Sequence, residues 1–212
     1  ADWSEIVPAL KLDRRIGPYS YLNPGLGIAG GNLERDLETV LRFAEANKTD
    51  GGVVAAWVHN SKHRKNWAHR VLCDIVFPTN PTPKIGVLGL AYKENTHSIK
   101  NSPSLALLAQ LASHHVTVFD PIVTATVAPN AHGADSAISA IKGADVVLIM
   151  TPWPEFRNLK PAQLVANMAG RTIIDPYRVL EEAVVLDAGL DYITLGSPGK
   201  FAVAKAKTNG CL

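Results

Sequence analysis

The sequence has little cysteine, no long apolar run and almost no excess of charge, and each shortage closes off a class of protein. Cys73 and Cys211 are its two cysteines, too few for a disulfide framework, and no CxxC spacing offers a metal site. They read as a buried helix residue and a tail residue. No stretch of about 18 apolar residues is available to cross a bilayer as a helix. The opening ADWSEIVPAL has neither the basic start nor the apolar core of a secretory signal. A formal net charge of +2 is too small to imply a polyanion partner. These absences point to a cytoplasmic globular protein, and 47% hydrophobic residues supply enough apolar material for a core. A chain of 212 residues allows one large domain, or one ordinary domain with an attachment.

What is present falls into two regions. Pro18, Pro24, Gly25, Gly27, Gly30 and Gly31 cluster before any complete folding unit, so the chain reads as a piece of something longer. Residues 1–78 read as helical. Trp3, Ile6, Val7 and Leu10 keep helical spacing, as do Leu33, Leu37, Val40, Leu41 and Ala44, with a stop near Asn47-Lys48. From Val53 to Phe77 the pattern predicts one further helix. These helices have little core of their own and must pack on a neighbouring domain or on a second copy. Residues 79–83, with Pro78 before them, read as an extended, proline-stiffened linker.

Residues 84–200 alternate strand and helix. KIGVLGLAY, VTVFD, DVVLIMT, RTIIDP and LDYITLG read as five strands. Helices are expected in the segment SPSLALLAQLAS with Ser102 as N-cap, and over Asp135–Ile141, Pro161–Met168 and Val179–Ala188. Near-continuous apolar strands separated by helices mean an α/β fold with a parallel sheet covered on both faces, doubly wound and Rossmann-like, preceded by the helical segment. Residues 201–212 read as a frayed tail or an arm.

Ligands of open parallel sheets lie beyond the carboxyl ends of the strands. The candidates are therefore Leu90-Ala91-Tyr92-Lys93, Asp120-Pro121, Thr151-Pro152-Trp153 and Asp175-Pro176-Tyr177-Arg178. Lys93 is placed either to meet a phosphate or to lie solvated on the surface. The dinucleotide fingerprint GxGxxG fails, because Gly86 lies three before Gly89 and no third glycine follows. A nicotinamide cofactor held wholly by this region is not expected, whereas a nucleotide diphosphate held by loops stays open. The glycine loop of residues 24–36, Gly30 included, allows close backbone approach to a ligand and feeds a helix at Leu33, with Asn32 as N-cap. Arg35 and Asp36 form an exposed ion pair or face a sugar or phosphate. The basic run from Lys62 to Arg70 reads as a solvated helix face rather than a nucleic-acid site. His97, His114 and His115 lack the spacing of a metal site.

In order, Arg15-Ile16-Gly17, PGLGIAGGNLERD, KIGVLGLAYKENTHSIKNSPSL, VFDP and DVVLIMTPWPEFR resemble the UDP-glucose/GDP-mannose dehydrogenase family over essentially the whole chain. The resemblance implies the family's central dimerisation segment and its nucleotide-sugar-binding domain, with NAD bound mainly by an N-terminal domain that this sequence lacks. It implies a cytoplasmic oxidoreductase of polysaccharide biosynthesis that oxidises the C6 hydroxyl of a UDP- or GDP-sugar in two hydride transfers, through a cysteine adduct. The family loop PGxGxGGSCxxKD places Asn32 at the cysteine position, Arg35 at the lysine and Asp36 at the aspartate. An amide cannot form a thiohemiacetal. A catalytically silent binding or assembly protein is therefore an alternative, as is an enzyme that stops after one hydride step. By the same resemblance Arg15, Tyr21, Leu22, Tyr92, Lys93 and Arg178 are implied substrate contacts. Lys100, at a family arginine, is an implied cofactor contact. A homodimer is expected to bury Trp57, Val58 and Trp67.

Overall fold

The computed structural model describes residues 3–202. Cys211 and all but the first two residues of the expected tail lie outside the described residues. Helix α1 (Trp3–Leu12) leads into a turn closed by Ile16 and Gly17 N–H groups donating to the Asp13 carbonyl. Helix α2 (Asn32–Ala46) follows the glycine loop and packs against α3 (Gly52–Lys65). The single helix expected to Phe77 is broken at Asn66. Beyond it come α4 (Trp67–Val71) and a π-helical turn, Leu72–Val76. Asn66 closes α3 with its N–H on the Lys62 carbonyl and a ψ of 2°, as suits a short polar residue that competes with the helix for its own backbone. The wider π turn carries Leu72 and Val76 into the core.

Three expectations are corrected in this region. Cys73 is exposed, on the outer side of the π turn, with its sulfur 3.7 Å from His69 Nδ1. Trp67 is already half-buried against this chain's own core, so a second copy would have only part of its surface left to cover. The proline stretch is a tight turn and not an extended spacer. Thr79 and Asn80 stand between the prolines and keep their N–H groups, and both donate to the Val76 carbonyl that ends the helix.

The sheet has six strands in the order β3-β2-β1-β4-β5-β6, all parallel. They are β1 (Lys84–Leu88), β2 (His115–Phe119), β3 (His132–Gly133), β4 (Val146–Ile149), β5 (Thr172–Ile174) and β6 (Asp191–Ile193). The sequence predicts five, and β3 is the addition. It is two exposed residues with no apolar run, formed by pairing with Thr117 and Val118 at the edge. Helices α5 (Pro103–Gln110), α6 (Ala137–Ile141), α7 (Pro161–Asn167) and α8 (Glu182–Asp187) make the crossovers. Helices α3 and α4 pack on α5, while α6 lies across β1 and β2 beside α7. The right-handed crossover rule sets these on opposite faces. Strand β4 is buried throughout, each side chain worth about 1.5–3 kcal/mol of burial. Leu26 of the glycine loop and Ala68, Leu72 and Val76 of the helical segment join this same core.

Candidate functional site

Strand order reverses between β2-β1 and β4, and the loops leaving these strands build the site. Strand β1 ends at Gly89, with φ +99° and no room for a side chain, since a Cβ would meet Thr151 at 2.5 Å. The next backbone groups are all taken up by buried partners. The carbonyls of Gly89, Leu90 and Ala91 accept from Ser104 Oγ, Ser102 Oγ and Thr151 Oγ1, each at 2.7 Å. Ser102 does stand at the N-cap position of α5, but its hydroxyl is spent on Leu90 and not on the helix. The N–H groups of Leu90 and Ala91 donate to Asp120 Oδ2 at 2.7 and 3.0 Å. The loop is thereby fixed up to Tyr92, where the chain emerges: Tyr92 is half-buried and Lys93 exposed, its ammonium 5.6 Å from the Tyr92 ring centroid.

The glycine loop lies against this rim. Ile28 N–H donates to Ser61 Oγ of α3 at 2.8 Å. Gly30 N–H donates to the Lys100 carbonyl at 2.9 Å, and Asn101 Nδ2 to the Gly30 carbonyl at 2.7 Å. Gly30 has φ +82°, and a Cβ there would stand 3.2 Å from the Tyr92 ring. Gly31 touches the aliphatic stem of Lys100. The Tyr177 hydroxyl is hydrogen-bonded by the backbone of Leu26, earlier in the same loop. Burial pushes that phenol well above its usual range, and nearby Tyr21 adds to the effect.

The structure therefore brings Gly30, Tyr92, Lys93 and Lys100 together, while Tyr177, with Tyr21 near it, joins the glycine loop at Leu26. Arg178 follows Tyr177, exposed and with φ 54°. Leu22 is half-buried, and its carbonyl accepts from the Trp3 indole. The other candidates are exposed. Arg15 is exposed and paired with Asp13 at 2.6 Å. Asn32 is the first residue of α2, with Gly31 at the cap, and no side-chain bond caps the helix. It is exposed. Arg35 and Asp36 form an exposed pair at 3.0 Å. Among the described residues no group of three or more His, Cys, Asp or Glu side chains could hold a metal. Two clefts of about 220 and 150 Å³ are lined by none of these candidate residues.

Sequence reasoning missed Ser61, Asn101 and Ser104 altogether, and it placed Ser102, Thr151, Asp120 and Asp175 near the site without seeing that they hold the loops. One signal was available, since two apolar strands end in Asp-Pro. Asp120 gathers the Leu90, Ala91, Ile122 and Val123 N–H groups and the Trp153 indole. Asp175 gathers Tyr177 and Leu180 N–H groups and the Tyr192 hydroxyl. NAD does not fit the crevice of this sheet. The acidic residue after β2, which would meet a ribose, is turned inward and used up, and the glycine fingerprint is incomplete.

Residues 86–182 match the family model described as UDP-glucose/GDP-mannose dehydrogenase family, UDP binding domain. Over 200 residues the chain is 28% identical to a UDP-glucose 6-dehydrogenase of Rickettsia conorii, covering 91% of this chain and 46% of the relative. A UDP-glucose 6-dehydrogenase of Bacillus subtilis is 27% identical over 205 residues. A solved UDP-D-ManNAc dehydrogenase of Pyrococcus horikoshii superposes with a TM-score of 0.75 at 26% identity, over 91% of this chain and 44% of that one. The chain thus spans about half the length of the curated relatives it matches. Residues 86–182 thus belong to the UDP binding domain of the UDP-glucose/GDP-mannose dehydrogenase family, and the likeness to its members extends over the helices set before the six-stranded parallel sheet, to 91% of the chain.

Proposed function

We propose that this chain binds a nucleotide sugar, UDP- or GDP-linked, across the rim formed by the glycine loop and the loops after β1 and β5. It would serve as the substrate-holding half of a cytoplasmic 6-dehydrogenase that pairs with a second copy through its helices. The observation that carries the reading is the seating of Gly30 against Tyr92 and Lys100, which joins the glycine loop to the Tyr92-Lys93 segment in one fixed surface. Tyr92 offers a ring on which a base can stack, Lys93 and Lys100 offer cations to the diphosphate, and the glycine backbone lets the sugar approach. Arg15, Tyr21, Leu22 and Arg178 are proposed as outer contacts, Arg15 reaching a partner's substrate. Family members use NAD as hydride acceptor, and the residues described here offer it no site in the sheet crevice.

A second reading is favoured by Asn32: a binding protein on an enzyme's frame. An exposed asparagine stands at the cysteine position, and the adjacent Arg35 and Asp36 hold each other in solvent. Titration calorimetry with UDP and GDP tests the binding claim. Saturable binding is expected, weakened about tenfold or more in Lys93→Ala, as suits loss of one charge-assisted bond. Absence of binding to either nucleotide overturns the reading. NADH formation by the full-length protein, with and without Asn32→Cys, separates enzyme from silent binder: turnover restored only by cysteine marks the latter.

A further inference from the structure

In a Rossmann sheet the N–H groups of the turn after the first strand meet a phosphate, and the acid after the second strand stands beside them. Here those parts are present but turned on one another. Leu90 and Ala91, the first two residues past Gly89, donate to Oδ2 of Asp120, the residue that follows β2. The Trp153 indole, from the loop after β4, donates to the same oxygen at 2.9 Å. Ile122 and Val123 donate to Oδ1 at 2.9 and 2.8 Å. Five neutral N–H donors from three loops thus enclose one carboxylate that is 8% exposed. Burial alone would raise this carboxyl, yet the four backbone N–H bonds outweigh it and hold the group below the usual aspartate range. The Leu90 and Ala91 donors cannot be re-aimed easily, because Ser104, Ser102 and Thr151 fix the carbonyls of Gly89, Leu90 and Ala91.

We propose that Asp120 is a resident anion filling the phosphate cradle of this sheet, which closes the crevice between β1, β2 and β4 to a dinucleotide and turns it into an inorganic-anion site once the carboxylate is removed. A phosphate approaching Leu90 and Ala91 meets a charge of its own sign and donors already in use, which is exclusion by repulsion as well as by occupancy. The inference concerns only this buried cradle and stands whether or not the outer rim binds a nucleotide sugar.

The test uses Asp120→Ala and Asp120→Asn in the whole chain. Thermal unfolding is followed in sodium formate and in phosphate, against chloride at matched ionic strength. Alanine leaves five donors around the space of a carboxylate, whereas asparagine fills that space and turns an NH2 toward them. In Asp120→Ala, formate or phosphate at about ten times its Kd should raise the midpoint by about 3 °C or more over chloride, saturably. The same titration should move the Leu90 and Ala91 amide resonances, while in the parent and Asp120→Asn formate and phosphate leave those two amides unmoved and raise the midpoint less. If Asp120→Ala does not fold in chloride, formate or phosphate should restore its refolding yield. An Asp120→Ala that responds like the parent, a response that leaves those two amides unmoved, or failure to refold in every salt overturns the proposal.

Discussion

Asp120 and Asp175 hold the same station, each directly after a parallel strand and before a proline, yet their surroundings drive them in opposite directions. Asp120 has five N–H donors and is held in its charged form. Asp175 is fully buried, and burial raises its carboxyl more than the Leu180, Val179, Tyr192 and Tyr177 bonds lower it. A raised native value means the folded chain takes up the proton first. Asp175 therefore contributes stability that is fully present below the ordinary aspartate value of 3.8 and is lost as pH rises through its native value. Asp175→Asn removes this dependence, so the midpoint difference between parent and variant should shift in the parent's favour as pH falls from neutral, measured by thermal unfolding at several pH values. A constant difference would mean that Asp175 titrates alike in both states. Gly30 is the other residue whose identity is forced. Its φ of +82° and the Tyr92 ring 3.2 Å from a would-be Cβ both oppose a side chain. Gly30→Ala should cost about 1–3 kcal/mol in urea unfolding and weaken UDP binding with it.

At the scale of elements, the strands were legible because apolar runs such as DVVLIMT have one reading in a covered parallel sheet, and β4 is indeed buried end to end. Strand β3 was not legible, since His132-Gly133 carries no pattern and owes its form to its neighbour. The helix break at Asn66 and the π turn after it were hidden because Trp67, Val71 and Ile75 keep helical spacing across both. Of the site, the glycine loop and the Tyr92-Lys93 segment were visible as residue types. Their joining was not, because it runs through backbone groups of Lys100 and Gly30 and through hydroxyls such as Ser61 that look like surface polar residues. Ser61 is buried and is the partner of the Ile28 N–H, so it ties the loop to α3. Ser61→Ala should destabilise the chain by about 1–3 kcal/mol, because a part-buried donor loses its acceptor. The check is specific: hydrogen exchange at Ile28 should quicken far more than at strand β4 amides, and uniform quickening would deny the tie.

At the scale of the whole molecule, the sheet is covered but the helical segment is not. Helix α2 leaves Leu33, Val40 and Phe43 at 55, 47 and 64% exposure, and α3 leaves Val53 and Trp57 at 62 and 56%. Leu33 and Val40 are seven apart and Val53 and Trp57 four apart, so each helix turns an apolar stripe outward while its other side packs within the hairpin. Contiguous apolar surface of this kind is what monomers avoid and interfaces use. A two-fold pairing of these stripes matches self to self, the arrangement that closes most readily. The proposed dimer therefore rests on Trp57 and the α2 stripe, with Trp67 belonging to the chain's own core. Phe43→Glu combined with Trp57→Glu should turn a dimer into a monomer by light scattering. Both positions are exposed, so the sheet domain should stay folded in the monomer, and UDP affinity should fall only by what Arg15 from the second copy contributes. A parent chain that is monomeric at every concentration removes the pairing. A double variant that stays dimeric moves the interface elsewhere, with the segment from Trp3 to Tyr21 as the other exposed apolar surface among the described residues of the helical region.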